Sequence, residues 1–103
     1  KWEHRPLLIL FPQPAFVTKM EHLWKAETTQ SGARERQMLF YTVEGSVAES
    51  LARRFHVEKG MPVVVLIGKD GHPKLVSRNP TGPEQIFPLI DEMPMRQREM
   101  AEH

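Results

Sequence analysis

The residues able to do chemistry in this chain are few, and the missing type excludes the most. There is no cysteine. Thiol peroxidases and disulfide reductases need a thiolate nucleophile, so both activities are excluded, as are disulfides and thiolate metal sites. The histidines are His4, His22, His56, His72 and His103. No two of them stand at i, i+4 and none sits in an acidic cluster, so no zinc-binding pattern is present. Ser31, Ser46, Ser50 and Ser77 lack the G-x-S-x-G context of a hydrolase elbow. Gly60 and Gly68-Lys69 lack phosphate-loop spacing. Glu44 is the carboxylate best placed to act alone as a general base if partly desolvated. It has no histidine beside it, and a carboxylate before a helix also simply suits the helix dipole. Nothing in these patterns implies a cofactor.

Composition narrows the partners. The chain has 103 residues, 40% hydrophobic and 26% charged, which suits one globular domain. Its net charge of +1 provides no field to steer nucleic acid. Arg34-Glu35-Arg36 and Arg53-Arg54 read as solvated charges, and the aromatics are scattered, so nucleic-acid binding is disfavoured. No apolar run approaches the ~20 residues of a membrane span, so membrane insertion is not expected. A leader preceding Lys1 is left open.

The elements that must position any site are legible from hydrophobic pattern and proline punctuation. Leu7 to Phe11 is an unbroken apolar run between Pro6 and Pro12. Unbroken runs belong to strands buried on both faces. Phe16, Met20, Leu23 and Trp24 follow at helical spacing, predicting one helix of about fifteen residues ended by Ser31-Gly32. Met38 to Val43 predicts a second strand. Ser46-Val47-Ala48-Glu49 reads as a capping box opening a helix with the stripe Val47, Leu51, Phe55. Val63 to Ile67 is a third strand, turned back by Asp70-Gly71 into a short edge strand at Lys74 to Ser77. Thr81-Gly82-Pro83-Glu84 predicts a second capping box and a last helix, with Pro88 as a fault that should bend it. Pro94 marks a boundary at Met93.

The resulting order is β-α-β-α-β-β-α, with crossovers long enough for parallel pairing and a final antiparallel hairpin. The expected fold class is α/β, a thioredoxin-like three-layer α/β/α sandwich on a four-stranded mixed sheet ordered second, first, third, fourth. One domain fills 1–103, with 93–103 as a C-terminal tail.

Three features carry a family resemblance: Trp2 with Arg5, the Leu66-Ile67-Gly68-Lys69-Asp70-Gly71 hairpin, and above all the run from Leu89 through Met93-Pro94-Met95-Arg96-Gln97-Arg98-Glu99-Met100. On these the chain resembles peroxiredoxin-like domains of unknown function. Those occur singly in bacteria and, as related modules, in sushi-repeat-containing and matrix-associated coiled-coil-domain-containing proteins. Pro88, and Gln37 after Arg36, depart from that pattern. The resemblance implies a thioredoxin-like fold and an exported setting, periplasmic or extracellular, and no settled activity. It also implies a cis bond at Met61–Pro62, as before the third strand of thioredoxins.

In such a fold, ligands bind beyond the carboxyl ends of the central strands. That edge gathers Gln13, Glu44, Ser46, Met61 and Pro62 as the candidate ligand-binding set. Arg96, Arg98 and Glu99 form a candidate partner-binding tail, weighed against a tail held to the domain by Met packing and one arginine hydrogen bond. The function read from these residues is a non-catalytic binding or interaction module for a protein or small ligand. The alternative is non-thiol chemistry around Gln13 and Glu44. Oligomeric state is not legible.

Overall fold

The apolar run after Pro6 sits where its pattern requires. In the computed structural model, which describes residues 2–102, β1 (Arg5–Leu10) is buried at every position. Lys1 and His103, the ends of the expected domain and tail, lie outside the described residues. β2 (Met38–Val43) runs parallel to β1, with Arg5 opposite Met38 and Leu10 opposite Val43. β3 (Val63–Ile67) is antiparallel on the other side, with Leu10 opposite Val63. β4 (Pro73–Ser77) pairs antiparallel with β3. The sheet order is β2-β1-β3-β4, as expected, and the sheet is mixed.

Alternation along the strands sorts the core into two faces. Leu7, Ile9, Val64 and Leu66 bury against α1 (Pro14–Trp24), α2 (Glu27–Glu35) and α4 (Pro83–Asp91) through Met20, Trp24, Ala33, Ile86 and Ile90. Leu8, Leu10, Val63, Val65 and Ile67 face α3 (Gly45–Phe55) alone. These layers make the α/β sandwich of thioredoxin-like type. α5 (Pro94–Ala101) follows α4, with Met93 as its N-cap and Pro94 in its first turn.

Several expectations need correction. β3 is antiparallel to β1, so the second crossover does not return parallel. α3 carries the chain down about 16 Å at 1.5 Å per residue. The connecting loop 56–62 then brings it back to the edge where β1 ends, with Val63 opposite Leu10. His56 makes that reversal in a left-handed conformation, φ 60°. The single long helix is two helices, broken at Lys25-Ala26, with Ala26 extended at φ −62°, ψ 142°. Gly32 lies inside α2 and does not end it. A Cβ there would stand 2.7 Å from Phe87 Cε2, so the glycine seats that ring.

Val47 is 60% exposed, and α3 instead buries Ala48 and Ala52, whose small side chains bring the helix close to the sheet. Ser46 makes no capping bond; Glu44 is the N-cap position and Gly45, φ 65°, turns the chain in. At α4, Gln85 rather than Glu84 closes the cap, its Oε1 accepting the Gly82 N–H at 3.0 Å. α4 continues unbroken through Pro88. The Met61–Pro62 bond is trans, which removes one argument for a preserved thioredoxin-like binding edge.

Candidate functional site

The strand registers do bring the five candidate ligand residues to one edge. Gln13 follows β1, Glu44 and Ser46 follow β2, and Met61-Pro62 precede β3, where Leu10, Val43 and Val63 lie side by side. Gln13, Glu44, Ser46 and Met61 are all exposed, and neither Gln13 nor Glu44 caps its helix with a side-chain bond. Arg78 ties the neighbouring loop, donating to the carbonyls of Met61 and Glu58 at 2.8 Å each. None of the five lines either groove described below. The edge gathers exposed polar groups apart from those two grooves.

The C-terminal run builds a charged clamp at the opposite end of β1. Arg5 is fully buried. Its guanidinium donates to both Glu99 carboxylate oxygens at 3.3 and 3.1 Å and to the Arg36 carbonyl at 2.8 Å. Lys69, at the β3–β4 hairpin, meets Glu99 at 2.6 Å and also donates to the Gln37 side chain. Gln37, one of the two departures from the resembled pattern, thus accepts from Lys69 through its amide oxygen. Arg96, 2% exposed, bonds Glu35 at 2.7 Å and Asp91 at 3.2 Å. Asp91 also takes a two-pronged bond from Arg36, 3.0 and 2.9 Å. Arg36 lies over the Phe87 ring at 4.0 Å, and that ring packs edge-on to Trp24.

Burial alone would raise the pKa of Glu99, but hydrogen bonds from Lys69 and Arg5 outweigh it and hold the carboxyl below its ordinary range. The same balance, burial against bonds from Arg36 and Arg96, keeps Asp91 low. For Arg96 burial opposes the charge, and the bonds to Glu35 and Asp91 win and raise its pKa. Arg96 and Glu99, read from sequence as partner-binding candidates, spend their charges inside the domain; Arg98 is exposed. The buried tail residue is an arginine and not a methionine, with Met93 only partly buried against the core.

The strongest surface feature is one the sequence reading passed over. Among the described residues β2 pairs only with β1 and ends the sheet. Its consecutive residues Leu39, Phe40 and Tyr41 are 37%, 41% and 50% exposed. On one face Phe40 packs edge-on against Trp24 at 4.9 Å, beside an open groove of about 480 Å³ bounded by Glu21, Lys25 and Thr42. On the other, Leu39 and Tyr41 border a groove of about 530 Å³ shared with Trp2, Leu51 and Phe55. That second groove exists because α3 alone covers this face. The signal in the sequence was the absence of any charge from Met38 to Val43, on a strand that the fold order puts at an edge.

Residues 1–99 match the family described as a domain of unknown function, DUF4174. The chain belongs to the DUF4174 family. No curated protein matches the sequence. Among solved structures, one described as "Structure of a malarial protein" is similar in fold. It is 19% identical with a TM-score of 0.56, covering 87% of this chain and 97% of that one. The matched span of the DUF4174 domain includes both ends of the clamp, from Arg5 to Glu99.

Proposed function

We propose that this DUF4174 domain is a non-catalytic protein-interaction module whose contact surface is the β2 edge with its flanking apolar side chains. The observation that carries the reading is the exposed Leu39-Phe40-Tyr41 run on an unpaired strand. Exposed apolar side chains flanking both faces of an open edge strand suit an interaction surface, and aromatics are enriched at such surfaces. The redox chemistry usual for this architecture is excluded by the lack of a thiol. Among the described residues, no group of three or more His, Cys, Asp or Glu is positioned to hold a metal. The polar edge with Gln13 and Glu44 is open, which favours a docking module over an enzyme needing a desolvated base.

The resemblance to modules of sushi-repeat and coiled-coil-domain proteins, and the exported setting it implies, belong to this proposal. Cell fractionation tests the setting. The contact surface is tested by comparing proteins captured from native extract by the wild type and by Tyr41→Lys. Capture by the wild type and loss with Tyr41→Lys supports the reading; equal capture by both overturns it.

A further inference from the structure

The two edges of the sheet are treated differently. β4 starts at Pro73, carries Lys74, and is offset by a register irregularity at Leu66/Ile67. Proline, lysine and bulges are the devices that keep sheet edges from pairing. β2, with sequence Met-Leu-Phe-Tyr-Thr-Val, has none of them. Its backbone phase is fixed by β1: Arg5 N–H donates to the Gln37 carbonyl and Phe11 N–H to the Val43 carbonyl. Residues 37, 39, 41 and 43 therefore turn their backbone groups inward. Met38, Phe40 and Thr42 present theirs to the free edge.

We propose that the occupant of this edge is a second copy of the chain, paired antiparallel along β2 about a two-fold axis at Phe40, so that two four-stranded sheets become one. The inference rests on the reading of β2 as the contact surface and names its partner. A two-fold axis perpendicular to the sheet keeps each face in register with itself. With Phe40 opposite Phe40, the Leu39 of each copy meets the other's Tyr41 on the α3 face, and Met38 meets Thr42 on the α1 face. Every outward backbone group then finds a partner.

Charge agrees with the antiparallel sense. Glu21 in the last turn of α1 and Lys25 at its C-cap bound the groove beside Phe40. Both are exposed, and neither joins an ion pair among the described residues. A two-fold axis at Phe40 sets Glu21 of one copy toward Lys25 of the other, whereas parallel pairing would set like charges together. Area sets the strength. With ~200 Å² per aromatic side chain, the exposed parts of Leu39, Phe40 and Tyr41 come to about 250 Å² per copy. Two copies thus cover about half of the ~1,000 Å² at which specific interfaces begin, the strand backbones and helix rims adding the rest. The dimer is accordingly concentration-dependent rather than obligate.

Sedimentation equilibrium across micromolar to millimolar concentrations tests this, with circular dichroism to verify folding. The wild type should shift from one chain mass to two. Leu39→Lys with Tyr41→Lys in one chain, and Leu39→Glu with Tyr41→Glu in another, should each remain monomeric. Mixed, they should form a heterodimer, because position 39 opposes position 41 of the other copy. A third chain, Leu39→Lys with Tyr41→Glu, should still self-associate. Phe40 is left intact because it packs on Trp24. A wild type that stays monomeric at millimolar concentration, or a lysine variant that dimerises as the wild type does, overturns the proposal. If the wild type is monomeric but the lysine variant loses the proteins captured from extract, only the second-copy inference falls. If that capture is also unaffected, the interaction reading falls with it.

Discussion

Replacing Glu99 with alanine should be the most damaging single change in the clamp. Glu99 takes two of the three hydrogen bonds made by Arg5, whose side chain is wholly buried. Arg5 Nε already lacks a partner. Without Glu99 the buried guanidinium keeps only the Arg36 carbonyl as a hydrogen-bond partner among the described residues. Removing one partner of a buried ion pair costs about 3–5 kcal/mol. Glu99 itself is 21% exposed, so its own desolvation is partial, and about 3 kcal/mol is the working figure. For a domain of this size that lowers Tm by roughly 12–24 °C. Thermal melts followed by circular dichroism, with urea midpoints as a second measure, read this directly. Arg5→Met in the Glu99→Ala background should recover much of the loss, since an apolar replacement of both partners leaves no buried charge. A Glu99→Ala domain melting within a few degrees of wild type would refute the reasoning, as would a double variant no more stable than the single one.

Acid should act through the same groups. Glu99 and Asp91 have depressed pKa values in the folded state. Their stabilisation is fully present above the unfolded carboxylate range and is lost as pH falls through the folded values. Tm should therefore hold from pH 7 to about 5 and fall below about pH 4.5, with a shallower fall in Glu99→Gln. Gly32→Ala sets helix propensity, about 1 kcal/mol in favour of alanine, against a clash with a Phe87 ring pinned by Trp24 and Arg36. Overpacking costs about 1–3 kcal/mol, so the variant should melt lower, and a raised Tm would show that the ring yields. Truncation after Asp91 removes Arg96 and Glu99 together and should lower the urea midpoint at least as far as Glu99→Ala. Alanine at Gln13, Glu44 and Ser46 together should change neither melting nor capture from extract, because these exposed side chains make no bonds that cap α1 or α3.

The sheet was readable because its central strands state their burial in composition. Leu7 to Leu10 and Val63 to Ile67 are apolar at every position, and only strands covered on both faces and both edges tolerate that. The break at Lys25-Ala26 was hidden because tertiary bonds set it. The Trp24 indole N–H donates to the Thr81 carbonyl at 2.8 Å, and the Gln30 side chain donates to the Trp24 carbonyl. The serine capping pattern at Ser46 was a false lead, since Gly45 at positive φ lets the chain enter α3 without a side-chain cap. The clamp was half visible: a tail arginine hydrogen-bonded to the domain was one of the two readings, but that Arg5 and Glu99 would meet across 94 residues of chain is a property of the fold alone. The exposed face of β2 was missed although the expected sheet order already put that strand at an edge: a charge-free aromatic run reads as core, and how little α1 and α3 cover it is a property of the fold.

Amide hydrogen exchange along β2, resolved by residue and compared between dilute and concentrated samples, tests the central claim most directly. The outward amides of Met38, Phe40 and Thr42 have no backbone partner among the described residues, whereas those of Leu39, Tyr41 and Val43 face β1. Association through this edge predicts that exchange at 38, 40 and 42 slows with concentration while 39, 41 and 43 are protected throughout. Fast exchange at Met38, Phe40 and Thr42 that does not change with concentration, or slowing confined to β4, would contradict it.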